Sequence, residues 1–590
     1  VGLKSAGSTN QADTLSVVTL ADSNSITAAQ LDVSDVSGAT TGGTARLHLG
    51  ATNVVNVNAI NTGLTRANGT IDFAAAGGTA TFRAADGTSA IPAWTVGTVG
   101  TFQSGTFSAT NDFRSGTIDA AIGTLTIGKA DVGNAANRAG TIDATFAMGP
   151  GTLTTGTVLV GVIASSGSGG VAPGSTYASH GSLTLDGGLV EASSIALATN
   201  TITSMSGTRA VTGTLNLVSG TVRATTLGIG SQAAGTATVT AAMNWTNGVL
   251  ENRSGGDLTV TGLPITLATG THTVNALGGR ITLDASSPLS GPGGIVKAGD
   301  GSLVLSGSNG YLGDTVVTTG TLSLAAGASI AASSSVSVAS GATFDVTALA
   351  GGFSVGSVQA IGGAGTVSGS LAIGMDGTVS PGETVGASIG EMIGTMATTQ
   401  ALSLKAGGNY NFQLTSGTGT AGTDWDLLTA GGVLAVQATT ASPFEINLWS
   451  LTGSGSGGSI ASFDPTRSYS WRIASAAGGV SGFAATKFHV NTAPVNGTGG
   501  FTNDLAGGGF TVAQNGNDLS LVFTAGGGVI TISVASGTQT QTQAGYPSLA
   551  GTTPVVKTGD GTLVVDQANT LTGSTTVQAG RLQLADGAAL

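Results

Sequence analysis

The 590-residue chain contains no cysteine, which excludes disulfides, thiolate metal sites and thiol catalysis together. Charge is scarce: Asp, Glu, Lys and Arg make up 8% of the residues, against roughly 25% in ordinary soluble domains. The charge present is one-sided, with 30 acids and 18 bases giving a net charge of −12. Such a chain lacks the basic footprint that nucleic-acid binding requires. Aromatic residues supply 4%, so no large globular core built on rings is expected. The 12 prolines are too few for collagen or a proline-rich linker. No run of about 20 apolar residues is present, so no transmembrane helix is expected. No secretory signal is found; the chain begins at Val1 and reads as a mature or partial one.

What is abundant is glycine, at 99 residues, beside a 40% hydrophobic fraction that is mostly Ala, Val, Leu and Ile. Disorder goes with low hydrophobicity and high charge. The opposite profile here, rich in β-branched residues, favours very short strands joined by tight turns.

Internal repeats carry the most information. The segment Lys297-Ala-Gly-Asp-Gly-Ser-Leu-Val-Leu returns as Lys557-Thr-Gly-Asp-Gly-Thr-Leu-Val-Val. The alignment runs without a gap through Ile330 and Leu590 at an offset of 260, with 16 identities in 34 positions. A second pair, at an offset of 32, matches Leu183, Leu185, Gly188, Val190, Ala192, Ile195 and Leu197 to Leu215, Leu217, Gly220, Val222, Ala224, Leu227 and Ile229. Glu191 falls opposite Arg223 in that pair, at a position expected to point outward. Gly-Thr-Ile-Asp recurs at Gly69, Gly116 and Gly140, and Phe102 and Phe113 begin two similar segments.

Within each repeat, Leu or Val alternates with polar residues over four to six positions and then meets a Gly, Asn or Asp turn. Period-two alternation bounded by turn residues signals half-buried strands. The repeat spacings are too irregular for propeller blades and suit a solenoid with turns of variable length. In such a coil each strand pairs with its equivalent one coil away, at about 4.8 Å. Inward aliphatic side chains stack in columns, each burial contributing about 1.5–3 kcal/mol. A narrow interior is expected to admit few rings. The fold class expected is all-β, a parallel β-helix (β-solenoid) with short strands and Gly/Asn/Asp turns.

The two strong copies follow a recognisable pattern, in which Gly294, Lys297, Gly299, Gly301, Leu303, Leu305, Asn309, Gly313, Thr315, Val317, Gly320, Leu322 and Leu324 fill the defining places. This resembles the autotransporter-associated β-strand repeat, also called the passenger-associated transport repeat. Val296 stands where threonine is common, and Pro554 falls in the leading glycine region of the second copy. Gly363-Ala-Gly-Thr-Val-Ser-Gly with Ser380-Pro-Gly-Glu-Thr-Val-Gly, and the stretch from Gly509 to Leu521, look like segments that follow this repeat. The resemblance implies a right-handed β-helix, an exported bacterial surface protein, and no catalytic activity. A cysteine-free, Ser/Thr/Gly-rich chain fits the same extracellular or outer-surface location.

The chain divides into residues 1–260, solenoid coils; 261–355, the first strong repeat; 356–425, a continuation through the Ser-Pro-Gly segment; 426–525, an aromatic-rich β region; and 526–590, the second strong repeat and the start of another module. The aromatic density in 426–525 (Phe444, Trp449, Phe463, Tyr469, Trp471, Phe483, Phe488, Phe501 and Phe510, with Trp425 just before) implies wider coils or a small β-sandwich-like elaboration.

No residue is assigned to catalysis, to a cofactor or to a metal. Asp300 and Asp560 sit in Gly-Asp-Gly turns, but the nonapeptide of calcium-binding β-rolls does not recur. His48, His180, His272 and His489 are scattered, without a partner His at metal-ligand spacing. Asp424 and Asp426 flank Trp425, a pattern that glycan cleavage also uses; read as a strand, it places both carboxylates on one solvated face. The Gly453–Gly458 run lacks the ending of a phosphate loop. A β-helical polysaccharide hydrolase or lyase needs acids and bases converging across neighbouring coils, and no such cluster is legible in the sequence.

The expected function is a structural or surface-display solenoid: a rigid fibre, sheath or stalk. A carbohydrate-binding adhesin using the aromatic segment is the alternative. The absence of a polar cap near Leu590 and near Leu15 leads to the expectation of end-to-end stacking or of a longer natural chain.

Overall fold

Short alternating segments do become strands, and the strands stack on one another coil by coil. The computed structural model describes residues 15–35, 43–100, 104–132, 137–165, 174–203, 207–233, 237–356, 358–382, 393–453, 455–495, 499–546, 548–551 and 553–589. Two compact units are formed, Val1–Leu371 and Ala372–Leu590. Apart from a three-residue 3-10 turn at Ala485–Lys487, the regular elements among the described residues are strands.

In the first unit, Gly43–Leu49, Thr52–Val57 and Ala59–Leu64 are the three strands of one coil. Each pairs in parallel with its equivalent one coil on, Ala67–Phe73, Thr79–Arg83 and Ile91–Val99. The repeat at offset 32 is likewise one full coil. Leu183 lies opposite Leu215, Val190 opposite Val222 and Ile195 opposite Leu227. The Gly-Thr-Ile-Asp family behaves differently. Gly140 stacks on Gly105, whereas Gly69 stacks on Ala109, and Thr117 after Gly116 belongs to another file of strands. Those copies are similar strand segments that do not stack on one another in register.

Inward positions are buried and outward ones are not. Leu303 and Leu322 are fully enclosed and stack in register between Ile281 and Phe344. Rings enter the interior more freely than the sequence leads one to expect. Phe82, Trp94, Phe113 and Phe146 are all buried, with Phe82–Trp94 centroids 4.8 Å apart and Phe113–Phe146 centroids 5.6 Å apart. The coils there carry nine-residue strands, Ile91–Val99 and Gly105–Phe113, against three or four residues at Thr315–Val317 and Ser302–Leu305. The longer coil leaves room for rings to meet edge to face, the arrangement their quadrupoles favour.

In the second unit, Thr395–Thr398, Leu427–Ala430 and Tyr469–Ala476 continue the parallel stacking. The aromatic-rich region then departs from it. Asp518–Thr524 pairs antiparallel with Tyr469–Ala476 and forms a hairpin with Gly509–Asn515. Residues 530–584 form parallel ladders of their own, Ile530–Ser533 with Val555–Thr558 and Thr575–Val577, and Thr538–Thr540 with Thr562–Val565 and Arg581–Leu584.

Candidate functional sites: a lysine cradle and a charged ladder

The strong repeat is organised around a lysine. Lys297 occupies an inward position of Gly294–Ala298 and is fully buried. Its Nζ donates to the carbonyl oxygens of Ala298 (2.9 Å), Gly299 (2.6 Å) and Thr319 (3.0 Å). Lys557 repeats the arrangement on Thr558 (2.8 Å), Gly559 (2.6 Å) and Ala579 (3.0 Å). The ammonium thus ties a turn in its own coil to the turn one coil on. Glycine is needed opposite it: Gly320 has φ +66°, and a Cβ there would lie 2.8 Å from Lys297 Nζ and 2.4 Å from Gly301 O. Asn309 is the second buried anchor, accepting from Leu289 N at 3.1 Å. Asn569 does the same with Leu549 N at 2.7 Å.

A family model described as Passenger-associated-transport-repeat matches residues 295–324 and 555–584, the two cradles. The chain carries this repeat twice. The Adhesin BmaC autotransporter of Brucella suis biovar 1 (strain 1330) is 38% identical over 123 residues. That stretch is 20% of this chain and 4% of the adhesin, so the similarity covers a small part of that protein's length.

The lysine of the passenger-associated transport repeat was visible in the sequence only as a shared letter. Nothing in a strand pattern says that an inward Lys is satisfied; the signal is a Lys two residues before a Gly-x-Gly turn. Burial pushes the Lys297 ammonium down to about 8, with Asp300 opposing. The unfolded chain titrates near the ordinary 10.5, so between those values it binds more protons than the folded one. Stability is therefore expected to rise with pH across that window by way of this group. Comparing the pH dependence of melting for the wild type and Lys297→Met isolates the effect.

Asp300 and Asp560, in the turns of the repeat, are exposed. Among the described residues no three His, Asp or Glu side chains converge as a metal set requires. Asp300→Asn is expected to cost less than about 1 kcal/mol, as surface changes do. EDTA is expected to leave the melting temperature unchanged, and a large drop would instead reveal a metal at these turns.

Three histidines meet a carboxylate one coil away: His48 with Asp72, His180 with Asp143 at 2.7 Å, and His489 with Glu445 at 2.6 Å. His272 is buried instead, its ring 5.4 Å from that of Trp245 and its Nδ1 3.0 Å from Gly294 O.

The Asp424–Trp425–Asp426 segment is not a solvated strand. Residues 420–424 form a turn, closed by Asp424 N donating to Thr420 O at 2.8 Å, so alternation does not apply. Asp424 accepts from Thr420 N at 2.7 Å. Asp426 is fully buried and accepts from Gly394 N (3.0 Å) and Gln413 N (2.8 Å). Each carboxylate holds backbone, and they do not face a shared cleft.

The aromatic segment packs on itself. Phe463 and Tyr469 stack at 5.2 Å, Tyr469 and Trp471 at 5.5 Å, and Phe463 and Phe510 each meet buried Phe523 at 5.0 and 5.1 Å. In the Gly453–Gly458 run, Thr452 N donates to Ser456 O at 2.7 Å, closing a tight turn; Ser454 lies outside the described residues, as do Glu383–Gly386 of the Ser-Pro-Gly segment and the terminal Val1 and Leu590.

Acids and bases do converge across neighbouring coils, contrary to the sequence reading. Glu191, Arg223, Glu251 and Asn275 stack in register on one outward face. Arg223 donates to Glu191 at 3.0 Å and to Glu251 at 2.7 Å; Arg253 returns to Glu191 at 2.8 Å. Asn275 donates to Glu251 at 2.6 Å. Burial alone would raise Glu191, but the two guanidiniums outweigh it and hold its carboxyl below the usual range. A second group, Asp72, Asp112, Arg114 and Asp186, lines an open cleft; Arg114 grips Asp112 at 2.9 and 2.7 Å, and Asp186 accepts from Ser219 at 3.2 Å. In both groups the carboxylates are tied into ion pairs and hydrogen bonds. Arg223→Ala leaves Glu251, whose side chain is 8% exposed, without its cation and with Asn275 as its remaining side-chain donor. The loss is expected to be about 2 kcal/mol, between a surface pair and a buried one, and thermal melting checks it.

Proposed function

We propose that this chain is part of the surface-displayed passenger of an exported bacterial protein, where its parallel solenoid acts as a rigid, non-catalytic stalk or fibre. The observation that carries this reading is the recurrence of the transport repeat as the same lysine-tied coil 260 residues apart. A stack of coils joined by continuous backbone ladders resists bending without needing a globular core, which suits a spacer that projects from a cell. The similarity to an adhesin supports attachment to a surface partner as its task. A glycan partner held by the aromatic segment is less well supported, since those rings pack against one another. Association of one solenoid with another is a further part of the reading.

No helix among the described residues is long and apolar enough to cross a membrane. The test is to look for this chain on intact source cells with an antibody and with added protease. Surface labelling and protease sensitivity are expected; a signal only after lysis overturns the proposal. Electron micrographs of the purified chain are expected to show rods, and light scattering at high concentration reads self-association, a monodisperse monomer counting against it.

A further inference from the structure

The arginines of the first unit repeatedly use the same edge of the guanidinium. Arg114, Arg223 and Arg253 each present Nε and Nη2, the side-on fork, to a carboxylate within 2.7–3.1 Å. At Arg209 that fork is empty. The residue occupies an inward position of Thr208–Ala224 and is fully buried. Its Nη1 donates to Ile202 O at 2.9 Å and Asn200 Oδ1 at 3.3 Å, whereas Nε and Nη2 have no partner among the described residues. Arg138, at the same corner of an earlier coil, also buries its Nε without a partner. Tyr177 lies between them, in register with Arg209 and within the field of Arg138.

Among the described residues of the neighbouring coils, each carboxylate already has a partner. Between residues 132 and 250 the only acids are Asp143, Asp186 and Glu191. Asp143 holds His180, Asp186 holds Ser219, and Glu191 holds Arg223 and Arg253. A buried guanidinium left with two unmatched donors is strongly unfavourable. Burial lowers the proton affinity of Arg209, yet arginine stays charged in proteins. A charge that persists in the interior calls for a counter-ion.

We infer that the corner at Arg209 encloses a small oxyanion, bound side-on through Nε and Nη2, with the charge of Arg138 reinforcing it. The ligand class is a carboxylate or phosphate, on the pattern of Arg114, whose Nε and Nη2 take the two oxygens of Asp112. Because the fork is enclosed, the ion enters as the coils close, and refolding is where its effect appears.

The experiment refolds the full chain in sodium phosphate, sodium acetate or sodium chloride at matched ionic strength and pH, and then measures melting. A saturating rise of the melting temperature in phosphate or in acetate, absent in chloride, is expected, and which of the two acts identifies the source. Arg209→Met is expected to abolish the rise and Arg209→Lys to weaken it, since a point charge lacks the fork. Equal melting of the wild type in all three salts overturns the proposal whether or not the variants fold. So does an undiminished rise in Arg209→Met. Surface display does not enter this test, so its outcome is independent of the stalk reading.

Discussion

Leu303→Asp is expected to destabilise the first transport repeat by at least about 5 kcal/mol. Two effects add. The leucine is fully buried in a column between Ile281 and Leu322, and removing such a side chain from a packed interior costs about 2–5 kcal/mol. The incoming carboxylate gains no partner from the buried Lys297 of the same repeat, which is already spent on three carbonyls; an unpaired buried charge costs several kcal/mol more. One residue further, Val304 points outward and is half-exposed, and Val304→Asp is expected to cost less than about 1 kcal/mol. Each coil of a solenoid contacts chiefly its neighbours, so the damage should stay near residues 281–345 rather than unfold the chain at once. Hydrogen exchange resolves this: in the Leu303→Asp variant, protection lost around the substituted strand but retained at Leu183–Leu217 is the expected pattern. Comparable losses for the two variants would show that the alternation of inward and outward positions is wrong.

Lys297→Met is the second large effect, at about 3 kcal/mol. Methionine keeps the length and apolar stem of lysine but removes every donor. The carbonyls of Gly299 and Thr319 then lose their donor, at about 1–3 kcal/mol for each acceptor that water fails to reach, while Ala298 O keeps the backbone N–H of Ala276 at 2.9 Å. The gain from no longer burying an ammonium offsets part of this, which is why the net is set below the sum. Replacing a buried ion pair by apolar groups is often harmless because both partners go; here the backbone carbonyls stay. Lys557→Met should behave alike, and the double variant should lose the sum, since the two cradles share no partner. A neutral or stabilising Lys297→Met, measured by thermal melting, would mean that the turns close without the ammonium.

Much of the architecture was legible because a solenoid is built from local patterns. Leu183–Leu197 and Leu215–Ile229 alternate with period two and end in glycine turns, and their offset of 32 proves to be one coil in the pairing of Glu191 with Arg223. Gly320 and Gly580 mark places where only a residue without Cβ fits beside a lysine. All-β structure, parallel stacking, the inward columns and the transport repeat therefore follow from the order of residues, since each depends on neighbours a few positions apart or one repeat away. What the sequence left undecided depends on register and on what closes over each residue. Glu191 and Arg253 are 62 positions apart, and only the differing lengths of the intervening coils bring them onto one face. Asp426 reads as a solvated strand residue because its burial comes from Gly394 and Gln413, contacts that no local pattern encodes. The aromatic column at Phe82, Trp94, Phe113 and Phe146 needs a coil wide enough to hold it, and coil width is a sum over three strands and their turns. The unmatched fork of Arg209 is likewise a tertiary fact: alternation puts the residue inside, but only the packed coils show that, among the described residues, Asp143, Asp186 and Glu191 already have partners.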